Sequence, residues 1–115
     1  MDIDASAELF KALSDPGRLK VLRLLAHPPV NGCSTPGSVC ACDLEEHLGL
    51  AQPTISHHMR LLVQAGLVRA TKRGRWMDYT LNPQGFEAAQ VFLRTLSHPG
   101  ARDTATQPQQ HAEPL

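Results

Sequence analysis

The chain has 115 residues, a formal net charge of +0 and a pI near 7.0, which suits one small domain whose modest core a second copy would supplement. That balance by itself argues against a nucleic-acid binder, and no apolar run approaches the roughly 18 residues of a membrane helix. The acidic N-terminus lacks the basic stretch of a secretory signal. A count of 3 cysteines is odd for a secreted disulfide framework, so a reducing, cytoplasmic setting is expected.

Ala5 to Leu13 reads as a short amphipathic helix with Leu9, Phe10 and Leu13 on one side. A second helix follows in "SDPGRLKVLRLLA", with Asp15 as N-cap, Pro16 at the first helical position and Leu19, Leu22, Leu25 and Ala26 at helical spacing. His27-Pro28-Pro29 ends it, and residues 28–42 form a long loop that carries all the thiols: Cys33, Cys40 and Cys42. Asp43 to Leu48 is a short helix stopped at Gly49, and Gln52 to Ala65 is another, stopped at Gly66. Two helices joined by a tight glycine-containing turn make a helix-turn-helix.

The period then changes. Leu67 to Ala70 and Trp76 to Leu81 read as strands with "KRGR" as the hairpin turn. Asn82, as cap, and Pro83 open a last helix with Phe86, Ala89, Phe92, Leu93 and Leu96 on its apolar side. Residues 98–115 have little to bury and read as a disordered tail. There are no internal repeats. The fold class is mainly α with a small β-hairpin: a winged helix-turn-helix over residues 1–97. The first and last helices supply a homodimer interface from Leu9, Phe10, Leu13, Phe86, Ala89, Phe92, Leu93 and Leu96.

Neutral overall charge hides a local bias. From Gln52 to Met77 there is no acidic residue, whereas Arg60, Arg69, Lys72, Arg73 and Arg75 all fall there. On a helical wheel of about 100° per residue, Ile55, Met59, Leu62 and Val63 face the core, while Pro53, His57, Arg60 and Gln64 face outward with Thr54 and Ser56 flanking them. Gln52, Thr54, Ser56, His57 and Arg60 are therefore candidate contacts to base edges and phosphates of duplex DNA. Lys72, Arg73 and Arg75 on the hairpin are candidate contacts to the backbone or a minor groove. His58 falls roughly 60° from the centre of the apolar side and is expected as a hydrogen-bonded histidine at the core edge. Trp76 and Tyr79 are expected to pack the sheet on the core.

Cys40 and Cys42 share a side only where the backbone is extended, just ahead of a helix. Cys33 can fold back from its loop to give three sulfurs. Soft thiolates select soft acceptors, and three of them suit a trigonal ion with a lone pair, arsenite As(III) or antimonite Sb(III). Zinc or cadmium wants a fourth ligand, for which Asp43 and His27 are candidates. A buried cysteine pair or a disulfide switch uses the same residues. No glycine-rich phosphate loop, CxxC or catalytic triad supports an enzyme, which leaves a thiol enzyme or metal-buffering protein as the remote alternative.

The segments "CACDL", "QPTISHHMRLL", "AGLV" and "GRWMDYTLNP" resemble the ArsR family of metalloregulatory repressors, over about Ala5 to Leu96. The resemblance implies a homodimeric winged-helix repressor of an arsenical-resistance operon that leaves its operator DNA when an ion binds. It also implies that Cys40 and Cys42 are ligands for arsenite. Members with a third cysteine in that helix would have it where this chain has Glu45, so Cys33 is the third candidate here by proximity alone. The family's other sensing site needs Asp and His pairs on the last helix, where residues 83–97 offer only Glu87. Zinc, cadmium or lead sensing, and redox sensing through a Cys33 disulfide, are the alternatives on the same fold.

Overall fold

The computed structural model describes residues 2–29 and 37–100. Cys33 and the tail beyond Gly100 lie outside the described residues. Helix α1 runs Ile3–Leu13, capped by Asp2, whose carboxylate accepts from the Asp4 amide at 3.0 Å. Helix α2 runs Pro16–Ala26, with Asp15 accepting from the Arg18 amide at 3.1 Å and proline in its first turn, as the sequence predicts. On α2 the buried stripe is Val21, Leu22 and Leu25, and Leu19 is exposed.

The expected loop 28–42 ends earlier than its composition suggests. Val39–Cys40 form a strand, β1, and helix α3 already begins at Ala41, running Ala41–Leu48. Two residues are too few to show a strand period. What makes them a strand is tertiary pairing: both are completely buried and β1 lies antiparallel to β3. Helix α4 spans Gln52–Gln64, strand β2 spans Val68–Arg73 and strand β3 spans Trp76–Leu81. The sheet has the order β1-β3-β2, so the expected two-stranded hairpin is a three-stranded antiparallel sheet. Lys72 and Arg73 belong to β2, and only Gly74 and Arg75 make the turn.

Gly49 closes α3 at φ 66°, a left-handed conformation that L side chains rarely adopt, and turns the chain directly into α4. After β3, a 3-10 turn at Pro83–Phe86 precedes helix α5, Glu87–Ser97. Asn82 does not cap this turn with its side chain. Its Nδ2 donates back to the Gly66 carbonyl at 2.8 Å and its amide to the Leu67 carbonyl at 2.9 Å, tying the exit of the sheet to its entrance.

One core joins these elements: Val21 and Leu25 of α2, Val39 of β1, Leu44 of α3, Ile55, Met59 and Leu62 of α4, and Leu67. Helices α1 and α5 pack against each other, with the Phe10 and Phe92 rings 5.9 Å apart. This contact divides the expected dimer set. Leu9 and Ala89 are buried within the single chain and so belong to its own core. Phe10, Leu13 and Phe86 are half-buried against that core, and Phe92 is half-buried against Phe10. Leu93 and Leu96 stay 53% and 59% exposed.

Candidate functional site

Cys40 ends β1 with an extended backbone (φ −88°, ψ 166°) and is also the residue from which α3 starts. Cys42 lies in the first turn of that helix. This strand-to-helix break lets two side chains at i and i+2 converge, as an unbroken helix would not. Their Cα atoms are 5.5 Å apart and the sulfurs are paired as a disulfide. Asp43, 4% exposed, places Oδ2 3.6 Å from the Cys40 sulfur, where it accepts from that thiol once the pair is reduced. The two sulfurs and a carboxylate oxygen all lie within 4.8 Å of one another. Two sulfurs and one hard oxygen at the strand end and the first turn of α3 fit a thiophilic ion when the thiols are reduced. Of the fourth-ligand candidates, Asp43 is the one in this cluster.

Helix α4 carries the candidate reading face. Gln52, Thr54, Ser56, His57 and Arg60 are all exposed, and so are Pro53 and Gln64. The buried positions are Ile55, His58, Met59 and Leu62, at the i, i+3, i+4, i+7 spacing of a core-facing stripe. Val63, expected in the core, is instead 38% exposed, because the stripe is centred on the His58 side.

His58 has specific partners. Arg18 Nη1 lies 3.4 Å from its Nδ1, and its Nε2 is 3.8 Å from Asp15 Oδ2. Arg18 also donates from Nε to the Ala12 carbonyl at 2.7 Å and from Nη2 to the Lys11 carbonyl at 3.4 Å. One guanidinium thus ties the end of α1 to α4. Burial pushes the His58 pKa below its ordinary value of 6.5, against the pull of Asp15; Arg18 and His57 push the same way as burial. The amide hydrogen bond from Arg18 holds Asp15 below its ordinary range. The sequence placed His58 at the core edge but gave no sign of these partners.

On the wing, Lys72 and Arg75 are exposed. Arg73 is engaged within the chain: its Nε donates to Asp78 Oδ2 at 2.7 Å and its Nη2 to Oδ1 at 3.1 Å. Asp78 is 5% exposed, a buried acid that sequence reasoning missed. The available signal was its position as the first acid after the basic stretch, one turn of hairpin from Arg73. Trp76 was expected in the core and is 47% exposed; it stands opposite Arg73 next to the turn, beyond the helices that cover the sheet. Tyr79 is half-buried on the core, and that burial raises its pKa.

Among the described residues no helix is long and apolar enough to cross a membrane. Residues 15–70 match the family model described as "Bacterial regulatory protein, arsR family". The chain is 45% identical over 76 residues to an uncharacterized HTH-type transcriptional regulator of Methanocaldococcus jannaschii, covering 66% of this chain and 76% of that protein. It is 47% identical over 74 residues to the arsenical resistance operon repressor of Staphylococcus xylosus, covering 64% of this chain and 62% of the repressor, just under two thirds of its length. In fold it is similar to the homodimeric winged helix-turn-helix DNA-binding domain of a possible ArsR-family regulator from Mycobacterium bovis. That structure has a TM-score of 0.62 at 22% identity and covers 96% of this chain and 90% of that one. The chain therefore belongs to the arsR family of bacterial regulatory proteins, as a DNA-binding transcriptional regulator with a winged helix-turn-helix fold.

Proposed function

We propose that this regulator is the repressor of an arsenical-resistance operon. As a homodimer it grips operator DNA through α4 and the wing, and it lets go when Cys40 and Cys42, joined by Cys33, take up trivalent arsenic or antimony. The observation that carries this reading is the meeting of the Cys40 and Cys42 sulfurs beside the Asp43 carboxylate, at the first turn of the helix that packs on α4. The similarity to a named arsenical resistance operon repressor supports it. The dimer is supported by the exposed Leu93 and Leu96 on α5 and by the homodimeric structure of similar fold.

The bound ion would supply a soft Lewis acid that gathers thiolates. The rest is the work of the chain. Exposed Gln52, Thr54, Ser56, His57 and Arg60 read base edges and phosphates, and Lys72 and Arg75 add backbone attraction. Two copies set two recognition helices at half-site spacing. Cys40 starts α3, so drawing its sulfur toward a ligand alters the start of the helix that supports α4. A difference of only about 1–3 kcal/mol between the two states gives a useful response.

The test is a DNA-release titration of the reduced full chain with arsenite, antimonite, zinc, cadmium and lead. Cys42→Ser is expected to bind DNA like the parent and to lose arsenite-driven release by about tenfold or more. Release that survives in this variant overturns the arsenic reading, and release by zinc, cadmium or lead but not arsenite reassigns the ion. The disulfide pairing of Cys40 with Cys42 favours one second reading, a redox repressor in which a peroxide takes two electrons and two protons from the thiols. Release by peroxide in metal-free buffer, with none by arsenite under reduction, selects it.

A further inference from the structure

The thiol pair and the wing share a strand. Strand β1 pairs with β3 so that Cys40 stands directly opposite Asp78. Directly opposed residues of an antiparallel pair carry their side chains on one face of the sheet, a few ångström apart. On the other side of β3, Thr71 is opposite Asp78 and Arg73 is opposite Trp76. Arg73 is thus the diagonal neighbour of Asp78, a separation that long side chains span. The two-pronged bond from Arg73 to Asp78 uses this reach. A carboxylate as buried as Asp78 needs such a partner, because stripping its water is otherwise too costly.

Cys40 thereby has three positions at once. It is the last residue of β1, the residue that starts α3 and one half of the thiol pair. Strand β1 is two residues long and lies at the sheet edge, so little ladder holds it. A movement of Cys40 toward a ligand displaces the residue against which Asp78 is registered. Asp78 in turn fixes Arg73, the last β2 residue before the Gly74-Arg75 turn that presents the wing cation Arg75.

We propose that Asp78 is a positioning residue for DNA binding, through which occupancy of the thiol pair reaches Arg73 and the wing, in parallel with the path through α3 to α4. This rests on the reading of Cys40 and Cys42 as ion ligands. It separates two jobs in one sheet: β2 and the turn that follows it present the cations, and β1 reports the state of the thiols to them through β3.

The test uses the reduced full chain, arsenite as the ion, and a duplex selected from random sequence by the parent protein. Hydrogen exchange of the amides from Val68 to Leu81 is followed with and without arsenite, alongside the arsenite stoichiometry and the ratio of DNA affinities without and with the ion. In the parent, wing exchange is expected to change on arsenite binding. In Asp78→Asn, arsenite still binds in the same stoichiometry, the wing response disappears, and the affinity ratio shrinks by about 3- to 30-fold. Asp78→Glu, which keeps the carboxylate, recovers part of both. Arg73→Lys keeps the charge and the Asp78 carboxylate but loses the fork, so it reproduces the loss even if Asp78→Asn folds poorly. A parent that binds arsenite while its wing amides ignore it overturns this inference and leaves the thiol sensor standing. An unchanged affinity ratio in both Asp78→Asn and Arg73→Lys overturns it too. A parent whose thiols take no arsenite overturns the sensor reading and the coupling together.

Discussion

Two polar clusters touch this small core, and they are built in opposite ways. The thiol junction is local: Cys40, Cys42 and Asp43 come from four consecutive residues on a two-residue edge strand and the first turn of a short helix. The corner at the base of α4 is assembled from afar: Asp15 and Arg18 from α2 and its cap, the carbonyls of Lys11 and Ala12 from α1, and His58 from α4. The first can change shape by moving a few residues. The second cannot yield without disturbing three helices at once. A ligand-driven switch needs both, a part that moves and a frame it moves against, and the contrast predicts which damage costs stability and which costs only response.

Between the two clusters, the larger stability effect is expected at Gly17→Ala. A Cβ there would sit 2.8 Å from His58 Nε2 and 2.9 Å from Asp15 Oδ2, inside the corner itself. Relieving this crowding means pushing the buried ring of His58, so the variant should lose about 1–3 kcal/mol in urea unfolding. Ion-free DNA binding should weaken with it, because the recognition helix loses its anchor. An unchanged unfolding midpoint would show that the corner gives way easily and that the contrast with the thiol junction is false.

A smaller effect sharpens the comparison through pH. Burial, outweighing Asp15, leaves His58 with a pKa below 6.5 in the folded chain, so the unfolded chain takes this proton first as pH falls. The corner's contribution is complete above about pH 6.5 and declines below it, since stability falls wherever the unfolded state binds more protons. Comparing urea midpoints at about pH 7.5 and about pH 5.5 should show a drop in the parent that is reduced in His58→Gln. An equal drop in both proteins would show that His58 does not set the acid sensitivity.

The same contrast explains what the sequence made legible. The helix-turn-helix, the caps at Asp15 and Gly49 and the outward face of α4 follow from spacing within a few residues, and each is present, although α3 starts at Ala41 and not at Asp43. The convergence of Cys40 and Cys42 was readable for the same reason. Long-range partnerships were not: the Arg18 to His58 contact joins residues 40 apart, and no local pattern marks it. Strand β1 escaped because two residues carry no period, and with it went the pairing of Cys40 with Asp78. Trp76 was misplaced because hydrophobicity alone was read. Its register beside the hairpin turn puts it past the covering helices, and on this strand the deeply buried position belongs to Asp78.

The smallest stability effect is expected at the other cluster, and it is the most decisive for the comparison. Cys40 is completely buried, yet it starts α3 without any side-chain capping bond, and its place in the sheet is held by backbone pairing. Under reducing conditions Cys40→Ala removes one sulfur from the core and the thiol that donates to Asp43 Oδ2, and nothing from the helix cap. The cost should be about 1 kcal/mol, that of a buried methylene together with one weak thiol hydrogen bond. DNA binding without ion should be that of the parent, and arsenite should no longer release it. A loss as large as that of Gly17→Ala would mean that this sulfur holds the fold together. The thiol junction would then be a second rigid corner, with no movable part to be read by the wing or by α4.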